Sequence, residues 1–400
     1  MRHFFVITFI VAVSLAMLTS CSNEQSTTGV IEIDANINYP KIDLNLDEIA
    51  EISYIPLKLG ENNIFIQKPR PRSVFITDDR IFIADGNTYN PRIIVYNHEG
   101  DPLYTIGQKG RGPSELFGPI CFAVDTIREE VFIWDEMAAQ LQVYDMYGKF
   151  KRFKSRYVND RILKFDNIDN ININTLVLFL PHAKILSRDK YGTPLNFRSL
   201  SFLDKDSMTF HDFPDINFER MHLWATGTMR SSLLTTKSGI YFYTLSSDTT
   251  FFINDSLRIV PKFIDVTNYP NPGERGVFPS LETDKYIFFN TYVAGIGQPS
   301  LNIDNKNKKF LVLDKTAKKI FSLEDRIEIK GPDNVDYYLF ECLDWRNLKY
   351  GRTLNPNYVA VFVNYIQLID YYDKLSDSLK RIADQMSEND NPVLILMKIK

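Results

Sequence analysis

The 400-residue sequence predicts an all-β fold of the β-propeller class, and three observations carry that prediction. Short strand-like runs repeat about fifty positions apart, glycine-marked turns separate them, and long helical periodicity is almost absent before the C-terminal region. Arg80-Ile-Phe-Ile-Ala-Asp85 returns as Glu130-Val-Phe-Ile-Trp-Asp135. Arg92-Ile-Ile-Val-Tyr-Asn97 returns as Leu141-Gln-Val-Tyr-Asp145, and the copies end in turn glycines Gly100 and Gly148. A repeat of about 45–50 residues built from short strands is the mark of a propeller blade, a unit that buries its apolar faces only against its neighbours.

Composition agrees. Hydrophobic residues make up 44% and charged residues 24% of the chain, as in an ordinary folded protein. The 21 Tyr and 29 Phe, against only 18 Gly, favour strands packed face to face through aromatic rings. Four hundred residues would otherwise mean two or three domains, but blades are modules of one closed body, so a single domain over residues 30–400 is expected. The formal net charge is −4. Arg2 is the only charged residue before position 21, so the remainder carries 45 basic against 50 acidic residues. No Lys/Arg block stands out, which argues against a nucleic-acid partner.

The N-terminus reads as an address. A basic start, Met1-Arg-His-Phe-Phe5, leads into the apolar run Val6–Leu18, which is short for a membrane span. Leu18-Thr19-Ser20-Cys21 then fits the bacterial lipobox, in which the peptide is cut before the cysteine, the thiol takes a diacylglycerol and the new amine is acylated. Residues 1–20 are thus expected to be a lipoprotein signal peptide, with Cys21 the point of membrane attachment. Each buried methylene is worth about 0.8 kcal/mol, so two or three acyl chains hold effectively permanently. Ser22 is not the Asp that marks inner-membrane retention, which directs the expectation to the outer membrane, on either of its faces. Residues 21–29 are polar and read as a flexible tether. Cys121 and Cys342 sit among apolar neighbours and are expected to be buried free thiols.

The blades follow in order. Ser73–Thr77, Arg80–Ala84, Arg92–Asn97 and Pro102–Ile106 form the first, and Ile120–Asp125, Glu130–Trp134, Leu141–Asp145 and Phe150–Lys154 the second. Asp78-Asp79, His98-Glu99-Gly100 and Met146-Tyr147-Gly148 supply tight turns. Arg161–Phe165, Thr175–Leu180, Ser199–Leu203 and Met208–Phe213 fit a third blade. Ser231–Thr235, Gly239–Leu245, Thr250–Ile253 and Ile259–Asp265 fit a fourth. Tyr286–Asn290, Ser300–Ile303, Phe310–Leu313 and Lys319–Leu323 fit a fifth, and Tyr337–Cys342 with Tyr358–Phe362 begin a sixth. Gln367–Ser387 is expected to be one helix, with Leu368, Tyr372, Leu375, Leu379, Ile382 and Met386 on one apolar stripe. The strongly apolar Val393–Ile399 is expected to close the ring by pairing with a strand from residues 30–58, since closure removes an exposed edge.

Gly107-Gln-Lys-Gly-Arg-Gly-Pro-Ser-Glu-Leu-Phe-Gly-Pro-Ile-Cys-Phe-Ala-Val-Asp125, with Glu130–Asp135 and Leu141–Gly148, resembles an NHL-type repeat. The whole chain is similar to the six-bladed β-propeller lipoproteins of Gram-negative gut bacteria. Lipobox Cys21, Ile52-Ser-Tyr-Ile-Pro-Leu57, Gly107–Glu115 and the terminal Asp390–Lys400 carry that likeness. The resemblance implies six NHL-like, four-stranded blades and no assigned activity; related propellers bind proteins, peptides or glycans, and some are enzymes. Trp134 departs from the repeat, which favours a small residue there.

Catalytic constellations are sparse. Gly107, Gly110 and Gly112 lack the spacing of a dinucleotide loop, and Pro113 followed by a strand replaces the helix that would bind phosphate. His98, His182, His211 and His222 form no metal-ligand spacing, and no G-x-S-x-G elbow appears. Asp78/Asp79 and Asp204/Asp206 fall in turns, where Asp bonds its own backbone. No metal or cofactor is therefore expected. The candidate ligand-binding residues are aromatic and basic ones on loops: Arg70 and Arg72, Lys109 and Arg111 beside the glycines, Trp224, and Trp345 with Arg346. Aromatic faces with guanidinium forks suit sugar rings, carboxylates or a protein surface. The expected role is a binding or scaffold module for a protein or glycan; the alternative is a polysaccharide-active hydrolase or lyase with an axial site.

Overall fold

The structure is a computed structural model. It describes residues 29–44, 46–67, 73–85, 89–155, 157–158, 161–162, 165, 167–179, 200–212, 231–244, 248–268, 275–293, 310–323 and 353–400. These residues form a six-bladed β-propeller. Blade 1 consists of Val74–Ile76, Ile81–Ala84, Ile93–Tyr96 and Pro102–Ile106. Blade 2 consists of Ile120–Asp125, Glu130–Asp135, Gln140–Asp145 and Phe150–Ser155. Blade 3 holds Asn167–Asn170, Thr175–Phe179, Leu200–Asp204 and Thr209–Asp212. Blade 4 holds Ser231–Thr236, Gly239–Thr244, Thr249–Asn254 and Ile259–Asp265. Blade 5 holds Arg275–Glu282, Tyr286–Val293, Phe310–Asp314 and Lys319–Leu323. The described strands of blade 6 are Tyr358–Val363, Val393–Ile399 and Ala50–Pro56.

The central strands are mostly apolar because a neighbouring blade covers each face. In Glu130–Asp135 every residue is buried. Val131 and Ile133 pack toward blade 1, while Phe132 and Trp134 pack toward blade 3, following the two-residue alternation of a strand. The same logic repeats around the ring. Six separate apolar clusters join blades 1 and 2, 2 and 3, 3 and 4, 4 and 5, 5 and 6, and 6 and 1. That unbroken circuit is what closes the fold. The outer strand Phe150–Ser155 carries Lys151, Arg152 and Lys154, charges that protect the exposed edge against pairing with another chain.

Closure follows the expected route. Val393–Ile399 lies between Tyr358–Val363 and Ala50–Pro56, and all seven residues of Ala50–Pro56 pair with it, from Ala50 opposite Ile399 to Pro56 opposite Val393. The chain before this strand adds a feature that the pattern of residues did not announce. Ile31–Ile33 lies parallel to the outer strand of blade 4, with Ile31 opposite Phe263, as a fifth strand. Further on, the Ser322 amide donates to the Pro40 carbonyl (2.9 Å) and the Ile42 amide to the Ser322 carbonyl (3.1 Å). Residues 31–49 thereby strap the rims of blades 4 and 5 before reaching blade 6.

Three local expectations need correction. The inner strand of blade 3 is Asn167–Asn170; Arg161–Ile162 pairs instead with Tyr157–Val158 in a small hairpin before it. Blade 5 begins with Arg275–Glu282, and Ser300–Ile303 and Tyr337–Cys342 lie outside the described residues. The single C-terminal helix is two, Tyr365–Asp370 and Asp377–Ala383, with a 3₁₀ turn at Tyr372–Lys374. Asn364 and Ser376 each cap a helix N-terminus through their side chains, and Leu375 and Ser376 are extended, which breaks the run. The apolar stripe itself stands: Leu368, Leu375 and Leu379 are buried, and Tyr372, Ile382 and Met386 pack against the same cluster.

Candidate functional site

The two ends of the ring differ in construction. At one, the turn end, hairpins join the first to the second and the third to the fourth strand of blades 1 to 5. At the other, the crossing end, the chain passes to the next blade.

The Gly107–Glu115 stretch is a crossing, and its polar groups bond to one another. The Gly110 amide donates to the Leu116 carbonyl (3.0 Å), the Leu116 amide to the Gln108 carbonyl (2.8 Å), and the Gly112 amide to Glu115 Oε2 (2.8 Å). From blade 2, the buried Gln142 Nε2 donates to the Glu115 carbonyl (2.7 Å) and the Tyr144 hydroxyl to the Ser114 carbonyl (2.8 Å). Gly107 takes φ +76°, and a Cβ there would lie 2.3 Å from Leu116 Cδ1. These amides are therefore spent within the fold and leave no cradle for an anion. Lys109 Nζ lies 5.7 Å from the centre of the Tyr89 ring, and Arg111 Cζ 4.8 Å from that of Phe117. These two predicted residues share one exposed loop. Arg70, Arg72, Trp224, Trp345, Arg346 and Cys21 lie outside the described residues.

A cavity of ≈ 810 Å³ opens at the turn end. Blade 1 contributes Thr77–Arg80, blade 2 Glu129 and Tyr147, blade 4 Lys237, and blade 6 Asn355, Asn357, Tyr358 and Lys398. Each is placed by a turn whose geometry the sequence dictates. Asp145 Oδ1 accepts from the amides of Tyr147 (3.0 Å) and Lys149 (2.8 Å), as Asn97 Oδ1 accepts from Glu99 (3.1 Å) and Asp101 (2.8 Å) one blade earlier. Thr77 Oγ1 accepts from the Arg80 amide (2.9 Å). Behind Tyr358 lies a void of ≈ 30 Å³ between the inner strands of blades 3 to 5 and residues 353–359 of blade 6, room for about one water.

The charges of the lining balance: Asp78, Asp79 and Glu129 face Arg80, Lys237 and Lys398. Two of the cations are already engaged. Arg80 Nε pairs with Asp79 (3.0 Å), its Nη1 donates to the Tyr104 hydroxyl (3.1 Å) and its Cζ sits 4.7 Å from the centre of the Tyr147 ring. The hydrogen bond to Tyr147 and the neighbouring tyrosine and aspartate hold the guanidinium firmly charged. Lys237 pairs with Asp284 (2.7 Å), which keeps that carboxyl below its usual range. Among the described residues, no hydrogen bond engages the side chains of Asp78, Glu129 or Asn357, which remain open to a ligand.

Not every charge at this end belongs to the cavity. Between blades 2 and 3 the fully buried Lys205 Nζ bonds Asp125 Oδ2 (2.6 Å), Arg128 forks onto Asp206, and Glu130 takes both Arg152 and Lys151. Burial pushes the Lys205 ammonium down, and Asp125 works against that shift. Such a closed lattice fixes two blades together. Among the described residues no group of three or more His, Cys, Asp or Glu could hold a metal ion. His98 Nε2 bonds the Thr77 carbonyl (2.9 Å), and His211 is exposed on the outer strand of blade 3. Cys121 is a free, half-buried thiol whose Sγ contacts the Phe165 carbonyl at 3.6 Å; Cys342 lies outside the described residues. No helix among the described residues is long and apolar enough to cross a membrane.

A family model described as Domain of unknown function (DUF4934) matches residues 28–398, and the chain belongs to that family. None of the curated proteins matches the sequence. Among solved structures, the chain is similar to a Bacteroides fragilis NCTC 9343 protein named as an exported protein. The TM-score is 0.60 and the identity 16%, over 93% of this chain and 99% of that one. It is also similar to a member of the duf4221 family from Bacteroides vulgatus ATCC 8482, with TM-score 0.49 and 12% identity, over 88% and 99%. Virginiamycin B lyase from Staphylococcus aureus follows at TM-score 0.39 and 12% identity, over 68% and 73%. At these identities the likeness is one of fold.

Proposed function

We propose that this DUF4934 chain is a binding module of the bacterial outer membrane, anchored by lipid on Cys21, that receives a glycan or a protein segment at one end of its propeller. The cavity at the turn end carries the reading. Its ≈ 810 Å³ falls within the ~300–1,000 Å³ typical of small-ligand sites. Four blades supply its walls, so only the closed ring assembles it. Open carboxylate and amide side chains beside an aromatic ring suit a polar chain that enters the mouth, rather than a folded domain. Lys109 and Arg111 extend the proposal to a second contact region on the crossing between blades 1 and 2, for partners too large for the cavity, and Arg70, Arg72, Trp224, Trp345 and Arg346 remain candidates read from the sequence alone.

Equilibrium binding against a panel of glycans, peptides and envelope proteins tests this. A ligand held at micromolar Kd and lost on Asn357→Ala supports the cavity; one lost only on combined Lys109→Ala and Arg111→Ala moves the site to the crossings. Turnover of a polysaccharide without stable binding would replace the reading with a hydrolase or lyase. The anchor has its own readout: Cys21→Ala should move the protein from the membrane to the soluble fraction and abolish incorporation of labelled fatty acid.

A further inference from the structure

Tyr147 occupies the tip of the third hairpin position of blade 2, where the equivalent residue of blade 1 is Glu99. Its ring is 63% exposed, although the residues around it are firmly placed. Arg80 covers one face of the ring at 4.7 Å, and that guanidinium is itself held by Asp79 and Tyr104. Tyr104 is tied in turn to the Met146 carbonyl through its hydroxyl (2.7 Å). An aromatic ring braced on one side by a fixed cation, and open elsewhere at the rim of a cavity, is a preorganised platform.

We infer that the cavity binds a neutral oligosaccharide, one of whose pyranose rings stacks on the open face of Tyr147. The inference rests on the cavity being the binding site. Axial C–H bonds of a sugar ring carry partial positive charge, which the negative face of an aromatic ring attracts. The hydroxyls meet the open side chains of Asp78, Glu129 and Asn357, which accept or donate in the plane of the sugar.

Two observations separate this ligand from its competitors. Of the three lining cations, Arg80 and Lys237 are already paired, so only Lys398 stands against the two open carboxylates Asp78 and Glu129; the open charge of the mouth is net acidic and disfavours anionic glycans. An extended peptide would bind by adding a strand to the inner edge of blade 1. That edge is taken: the Leu354 amide donates to the Val74 carbonyl and Asn355 Nδ2 to the Ile76 carbonyl, both at 2.7 Å.

The test is titration calorimetry of the full mature chain with neutral hexasaccharides of glucose, mannose and xylose, alongside polygalacturonate and a mixed peptide library. At least one neutral hexasaccharide should bind with an affinity nearly constant between about 0.05 and about 0.5 M salt, since no ion pair is made. Tyr147→Ala should weaken it about tenfold or more. Tyr147→Phe, which keeps the ring, should bind within about twofold of the parent, and both variants should melt with the parent. Polygalacturonate or peptide binding without any neutral sugar would overturn the inference and leave the proposed binding role intact. An unchanged affinity in Tyr147→Ala would overturn it too, and absence of any ligand would sink both.

Discussion

The crossing loop at Gly107–Pro119 and the hairpin at Asp145–Lys149 sit at opposite ends of neighbouring blades and use polar groups in opposite ways. In the crossing, the backbone amides, Glu115, Gln142 and Tyr144 satisfy one another, so a stretch rich in turn chemistry is consumed in holding one blade to the next. The hairpin is ordinary in sequence, and a single Asp145 carboxylate shapes it, yet it lifts Tyr147 to the rim of a cavity beside side chains with no partner. Conspicuous sequence and available chemistry are therefore different things in this ring. A motif stands out when its backbone must do something unusual, and the groups that do it are then occupied.

That contrast can be broken in several places. Both ends depend on closure, so deleting residues 391–400, which removes the strand between Ala50–Pro56 and Tyr358–Val363, should cost the whole of a domain's roughly 5–15 kcal/mol. Circular dichroism would show no cooperative melt; a truncated protein of equal stability would refute the closure. Next, Asp125→Asn should cost about 3–5 kcal/mol by stranding the Lys205 ammonium, and adding Lys205→Met should recover most of it. Denaturant unfolding of both variants reads this and sharpens the contrast, because these charges lie at the turn end but serve the fold. Gly107→Ala at the crossing should cost about 1–3 kcal/mol through its positive φ and the contact with Leu116, with ligand affinity at the cavity unchanged.

A smaller effect is acid sensitivity. Burial alone would raise the Glu130 carboxyl, but Arg152 and Lys151 outweigh it and hold it below its ordinary 4.5. A carboxyl depressed in the folded state contributes stability above its unfolded value, and that contribution is lost as pH falls through the folded one. Melting temperature should thus decline below pH about 4.5, less steeply in Glu130→Gln. Smallest of all, Tyr147→Ala should shift stability by no more than about 0.5 kcal/mol while it weakens binding about tenfold or more. A large stability loss there would erase the contrast.

Most of the ring was legible because a blade's central strands are buried on both faces, which leaves unbroken apolar runs such as Ile81–Ala84 and Ile93–Tyr96 between turn residues. The departures have physical causes. Asn167–Asn170 looks polar because it is an inner strand facing the axis, with Asn167 and Asp169 buried there; Arg275–Glu282 contains Gly276 and Pro279 and shifts register between Pro279 and Leu281. Trp134, where blade 1 has Ala84, is not a flaw in the repeat: fully buried, it packs edge-on against Phe165 at 4.7 Å and fills the space toward blade 3. The cavity was not legible, since Asp79, Tyr147, Lys237 and Asn357 meet only once four blades are in place. One signal was present. An aromatic at a hairpin tip, where the sister copy has Glu99, needs a reason, and burial cannot supply it.

The seam of the ring also sets an order of events. Residues 50–56 have no sheet to join until residues 393–399 have been made, because that partner strand lies more than three hundred residues downstream. Blades 1 to 5 can build up progressively from neighbours close in sequence, whereas the sixth must wait for a contact spanning more than three hundred residues, the slowest kind to form. Until then residues 50–56 lack their partner strand, although Ile31–Ile33 can already lie against the outer strand of blade 4. The pairing of residues 393–399 is thus the event that locks the ring.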